Sequence, residues 1–195
     1  MKLLQVEKIA FTFDDDWTVV EKWDDSRVFR NGIMKLNGDV WDVDRQTSQR
    51  VGTKAVDILG VRGSDLYFIE VKDFRGHPET KAQDVRARAV EIACKVRDTL
   101  AGVVGANCTH KEPWVETCAA LLARPGCRVI VVAWIEERQP VLPDPKGKRA
   151  VRRMTRHDEL ARRLAWLTKR VSVESPFESR VPGVQASNRP GAGRH

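Results

Sequence analysis

The sequence predicts a mixed α/β (α+β) fold, a central mixed sheet flanked by helices, and three observations carry that expectation. Residues 54–61 (KAVDILGV) and 66–72 (LYFIEVK) are rich in β-branched and aromatic side chains, with Arg62-Gly63-Ser64-Asp65 between them. Such runs across a short turn pair as an antiparallel hairpin. Between residues 80 and 104 the apolar period changes. Val85, Ala89, Ile92, Val96, Leu100 and Val103 recur at three- and four-residue steps, the stripe of a long amphipathic helix. Finally, residues 128–135 (RVIVVAWI) are apolar on both faces, which suits a strand inside a sheet.

The remaining elements follow in order. Ile9, Phe11 and Phe13 alternate with polar or small neighbours, Asp14-Asp15-Asp16 turns the chain, and Trp17, Val19 and Glu21 continue the alternation. That pattern predicts a hairpin. Asp24 or Asp25 is placed to N-cap a short helix ending at Asn31, with Gly32 as its stop. Residues 37–50 are polar and read as a loop. A second helix spans 114–122 and stops at Arg124-Pro125-Gly126. A basic, Pro-rich loop over 139–149 leads to a last helix, 155–169, whose Leu160, Leu164 and Leu167 form an apolar edge. Trp114, Trp134 and Trp166 lie in apolar-patterned segments and are expected in the core. After Pro176 the chain turns to Pro, Gly, Ser, Asn and Arg, a composition expected to be disordered. The domain expectation is therefore one domain over 1–175, with a core at 17–135, a basic helical extension at 138–175 and a tail at 176–195.

The chain has 195 residues, with 34 Lys+Arg against 27 Asp+Glu, a formal charge of +7. That length supports one sizeable core. The charge is uneven: from Arg138 onward there are 14 basic and 5 acidic residues, which hints at a polyanion partner. Lys146, Lys148, Arg149, Arg152, Arg153 and Arg156 form either a surface that follows phosphates or an ordinary solvated face. The longest apolar run, residues 129–135, is far short of the roughly 20 residues that span a bilayer, so no membrane association is expected. The first residues become polar too soon for a signal peptide. Cys94, Cys108, Cys118 and Cys127 contain no C-x-x-C pair, which argues against a structural zinc site. They are expected to be reduced and mostly buried, and the protein cytoplasmic.

The chemistry concentrates between Asp57 and Lys72. Asp57 falls within the first strand of the predicted hairpin, and Glu70-Val71-Lys72 lies on the second. Side chains alternate along a strand, so Glu70 and Lys72 share one face. Antiparallel pairing brings Asp57 beside Glu70. On a water-facing edge strand these would be ordinary surface residues, but the flanking residues are apolar. Burying this set without function costs several kcal/mol per unpaired ion. Mg²⁺ takes one or two carboxylates plus waters and phosphate oxygens, so Asp57, Glu70 and the Val71 carbonyl are candidate metal ligands. Lys72 is placed to orient or deprotonate a water and to offset charge on a phosphorane. The chemistry implied is metal-assisted hydrolysis of a phosphodiester.

Asp57 followed by Glu70-Val71-Lys72 resembles the D…E-x-K core of the PD-(D/E)XK nuclease superfamily, the restriction-endonuclease-like fold. The order helix, strand, strand with Asp, strand with E-x-K, long helix, strand is similar to its αβββαβ core, over residues 17–135. Val56 stands where that motif often has proline. The resemblance implies that Asp57 and Glu70 bind Mg²⁺, with Mn²⁺ able to substitute, and that Lys72 assists the attacking water. It implies an endonuclease acting on DNA rather than RNA, working alone, as a homodimer, or with a protein partner in a defence or repair complex. The alternative is an inactive nuclease-like module that binds nucleic acid or a protein. Members often carry a further acid on the first helix. Glu21, Asp24 and Asp25 are candidates, with Glu21 the additional acid favoured, although the aspartates could equally cap a helix. Arg75, His77, Lys81 and Gln83, at the entry to the long helix, are candidate nucleic-acid contacts.

Overall fold

The computed structural model describes residues 1–36, 38–42, 46–75, 82–137, 147–176 and 178–188. Its centre is a five-stranded sheet built from β3 (Trp17–Lys22), β6 (Ile58–Arg62), β7 (Asp65–Asp73), β8 (Arg128–Glu136) and β9 (Val171–Glu174), in that spatial order. β3, β6 and β7 form an antiparallel meander, with Ile58 opposite Ile69 and Arg62 opposite Asp65. Gly63, at φ 60°, makes the turn between β6 and β7, a left-handed conformation that glycine adopts without strain. β8 runs parallel to β7, and β9 parallel to β8. Parallel neighbours need a long crossover. It is supplied first by α2 (Ala82–Thr109) and α3 (Pro113–Leu122), then by α4 (Lys148–Leu164).

The alternation of β7 separates two cores. Leu66 and Phe68 face the helices, packing with Ala89, Ile92, Val96, Val115, Leu121 and Leu160. Tyr67, Ile69 and Val71 face a second sheet of three strands. That sheet comprises β1 (Lys2–Val6), β2 (Ile9–Phe13) and β10 (Val184–Asn188), with β2 in the middle. Phe11 meets Trp134 edge to face at 5.1 Å between ring centroids, and Phe13 meets Trp17 likewise at 5.1 Å. Gly60 lies under the Trp17 ring, where an added Cβ would come within 2.6 Å of Cζ3.

Several expectations change. Ile9–Phe13 and Trp17–Lys22 do not form a hairpin; they belong to different sheets, because Trp17 bonds across to β6 while β2 takes β1 and β10. The tail is not featureless, since β10 closes the small sheet and Val181 and Val184 are buried. Part of the polar stretch forms a small hairpin, β4 (Gly38–Asp42) with β5 (Thr47–Val51). The short helix α1 (Arg27–Asn31) is capped by Ser26, whose hydroxyl accepts from Phe29 N, and not by Asp24 or Asp25. Those aspartates lie in a 3-10 turn, Trp23–Asp25, ahead of it. This helical segment follows the first strand of the sheet, whereas the expected order put a helix before three strands. The last helix starts earlier and stops at Leu164, which leaves Trp166 60% exposed. Among the described residues no helix is long and apolar enough to cross a membrane.

Candidate active site

Asp57 immediately precedes β6 and does not lie in mid-strand. Three bonds hold this entry in place. Val56 N donates to Thr99 Oγ1 at 3.0 Å and Lys54 N to Asp98 Oδ2 at 3.0 Å, both on α2. Trp23 N donates to the Asp57 carbonyl at 3.0 Å, tying the 3-10 turn to the same point. At Gly102 the helix passes so close that a Cβ would lie 2.7 Å from Ile33 Cδ1 and 3.0 Å from Trp23 Cζ2. The missing side chain therefore lets α2 seat against the turn that carries Asp24.

Extending the β6–β7 register by one residue sets Asp57 opposite Glu70. Asp57 Oδ2 accepts from Val71 N at 2.6 Å, a charge-assisted bond to backbone. The N–H and C=O of one strand residue leave by the same edge, so the Val71 carbonyl is turned toward Asp57 as well. Glu70 projects onto the helix face beside Ala133 of β8, and it is 1% exposed. Its Oε1 receives two ammonium groups, Lys72 Nζ at 2.8 Å and Lys95 Nζ at 2.6 Å. Lys72 also reaches Glu91 at 3.1 Å, and Glu91 is held by Arg88 at 2.5 Å.

Electrostatics marks the same group. Burial, then the Asp57 charge, pushes the Glu70 carboxyl up to about 7, against the pull of Lys95 and Lys72. Burial alone would push Lys72 down, but Glu70 and Glu91 outweigh it and hold Lys72 above the ordinary lysine range. The residue thus stays an ammonium and suits orienting a water or phosphate better than abstracting a proton. Asp24 is also raised, first by burial and then by Asp57.

Of the three candidate acids, Asp24 feels the Asp57 charge. Glu21 is raised by burial, and the charges it feels are Lys2 and Glu112. Asp25 pairs with Lys22 and Arg30 at the surface. Arg75 lies two residues beyond β7. It grips Asp73 at 2.6 Å and feels Glu136 and Glu7, on the side of the three-stranded sheet. His77 and Lys81 lie outside the described residues, as does the Gln83 side chain.

Glu91 and Lys95 did not emerge from sequence reasoning. Their signal was the spacing 88, 91, 95, a charged line at helical steps beside the apolar stripe of α2. In the basic extension, Lys146 and the side chains of Lys148 and Arg149 lie outside the described residues. Arg152 and Arg156 pair with Glu137, and Arg153 with Glu174 and Glu178. These arginines fasten α4 to the ends of β8 and β9. Next to them a cavity of about 660 Å³ is lined by Arg170, Arg180, His157 and the strand β9.

Glu70 Oε2 and Asp24 Oδ1 are buried and, among the described residues, lack a hydrogen-bond partner, and oxygen atoms left so are costly unless something positive reaches them. No group of three or more His, Cys, Asp or Glu converges to hold an ion among the described residues; one oxygen of Glu70 is taken by the two lysines.

No family model matches the chain, and no solved structure matches it. A cysteine–tRNA ligase from Neisseria meningitidis serogroup A / serotype 4A (strain DSM 15465 / Z2491) is 29% identical over 120 residues, covering 55% of this chain and 17% of that protein. The matched stretch is thus about a sixth of that relative.

Proposed function

We propose that the protein is a metal-dependent nuclease that hydrolyses phosphodiester bonds, with DNA as substrate, and that its core is a variant of the restriction-endonuclease-like fold. One observation carries the reading: Asp57 faces Glu70 across β6–β7, with Lys72 on the Glu70 face and Asp24 alongside. Asp57, Glu70 and the Val71 carbonyl would hold Mg²⁺ or Mn²⁺, with the Asp24 charge close by. Such an ion, when bound, polarises the phosphate and supplies an acidified water. Lys72 keeps its proton, orients that water or the phosphate, and offsets charge developing on the phosphorane. Glu91 fixes the Lys72 ammonium, and Arg88 fixes Glu91. The match to a sixth of a ligase is no ground for proposing aminoacylation.

The purified protein should nick or linearise plasmid DNA in Mg²⁺ or Mn²⁺, and Asp57→Ala and Lys72→Ala should each abolish cleavage. Cleavage that survives both substitutions would sink the proposal. The capture of Glu70 Oε1 by two lysines favours one rival, an inactive module that binds nucleic acid or a partner of a repair or defence complex. Calorimetry separates them: salt-sensitive DNA binding without divalent-ion binding supports the rival.

A further inference from the structure

The cavity of about 660 Å³ at the β9 edge of the five-stranded sheet shares no residue with the Asp57, Glu70 and Lys72 group, which sits on β6 and β7. Its volume falls in the range of small-molecule sites, roughly 300–1,000 Å³. Ile130, Val132, Val171, Val173 and Met154 give it aliphatic walls, and Met154 is left 64% exposed. The one carbocyclic ring in the lining, Tyr67, is itself buried, so a nucleobase finds no stacking platform. A further strand is a poor occupant as well. Val131 N donates to the Arg170 carbonyl, so alternate residues of β9 turn their backbone toward β8 and Val173 turns outward. The Val173 carbonyl accepts from Arg153 Nε at 2.8 Å, and a side chain so placed caps the edge against strand addition.

The charges of the lining divide unevenly. Glu137, Glu174 and Glu178 are all engaged by two of its arginines: Arg156 meets Glu137 at 2.6 Å, and Arg153 meets Glu174 at 3.6 Å and also Glu178. Glu174 Oε2 also accepts from Arg180 N at 2.9 Å, which seats Arg180 at the end of β9. Arg170 stands at the start of β9, where its charge reaches Tyr67. Neither the Arg170 nor the Arg180 guanidinium has an ion-pair partner among the described residues. We propose that this cavity binds a small amphiphilic anion, an alkyl carboxylate, with its chain against Met154, Ile130 and β9 and its head at Arg170 or Arg180. A guanidinium offers paired donors to a carboxylate, and burial of the chain adds affinity that an inorganic anion cannot gain. This inference goes beyond the nuclease reading and does not rest on it.

Fluorescence of anilinonaphthalene sulfonate bound to the full chain, challenged with three competitors, tests it. Decanoate carries chain and charge, decanol the chain alone, and inorganic phosphate charge alone. The wild type should bind the reporter saturably, and decanoate should displace it at least about tenfold more effectively than decanol, with phosphate inert at the same concentration. Substituting Arg170→Gln and Arg180→Gln together should bring decanoate down to the level of decanol. Ala150→Trp, at an exposed helix position that lines the cavity, should stop the reporter from binding. Thermal melts establish that each variant is folded. No saturable reporter binding, decanoate no better than decanol or phosphate, or wild-type behaviour in either folded variant would overturn the inference. Plasmid cleavage, read separately, leaves the nuclease proposal to stand or fall by itself.

Discussion

Replacing Glu70 by glutamine should make the protein more stable at pH 8, although it removes one of the proposed metal ligands. Burial and Asp57 raise the Glu70 carboxyl from an ordinary 4.5 to about 7. One pKa unit is about 1.4 kcal/mol, so keeping Glu70 ionised costs the folded state about 3 kcal/mol at pH 8. Below 4.5 the carboxyl is protonated in both the folded and the unfolded chain, and this cost is absent. As pH rises from 4.5 through 7 the unfolded chain loses its proton first, and stability falls. Glu70→Gln imitates the protonated form at every pH. Urea unfolding at pH 4 should therefore find the two proteins nearly equal, and at pH 8 the variant should gain about 3 kcal/mol. Lys72 does not cancel in the difference, because Glu70 helps hold its ammonium up, so the comparison stays at pH 8 and below, under the ordinary lysine range. Saturating Mg²⁺ should stabilise the wild type, by about 2.7 kcal/mol at a hundredfold excess over Kd, and leave the variant unmoved. A Glu70→Gln protein no more stable than wild type at pH 8 would refute the reasoning.

Three further outcomes follow from single contacts. Asp24→Asn should weaken Mn²⁺ binding at least about tenfold, a loss of about 1.4 kcal/mol, while Glu21→Gln should leave it nearly unchanged; parallel titrations compare them. Gly60→Ala drives a Cβ to within 2.6 Å of the Trp17 ring and should cost roughly 1–3 kcal/mol, read by chemical denaturation. Cys108 is exposed, whereas Cys118 is fully buried and its thiol is pushed up to about 12 by burial and then Glu21. Brief alkylation of the native protein should therefore label Cys108 and spare Cys118, as peptide mapping would show.

The local layout was readable because it depends on period and spacing within short segments. Strands β7 and β8, helices α2 and α3, and the shared face of Glu70 and Lys72 all follow from alternation or from three- and four-residue steps. The opposition of Asp57 and Glu70 follows from a two-residue turn whose length sets the register. The pairing of β2 was not readable. Its alternation fits any sheet that offers an apolar face, and its partners are the adjoining β1 and β10, some 170 residues away in sequence. β10 itself is too short and polar to announce a strand, and only Phe13, Phe11 and Ile9 opposite it give it one.

The sequence alone determined that Asp57, Glu70 and Lys72 meet at β6–β7, since a strand's period and a tight turn leave no choice of face or partner. Only the tertiary structure decided the company those residues keep. Asp24 enters because Trp23 N bonds to the Asp57 carbonyl, and Glu21 stays out because its strand position turns it toward Lys2 and Glu112. Lys95 and Glu91 enter because α2 crosses the helix face of the sheet at the height of Glu70. Depth of burial, the charge it shifts and the count of cations on one oxygen arise from elements far apart in the chain. They are properties of packing, which no local spacing encodes.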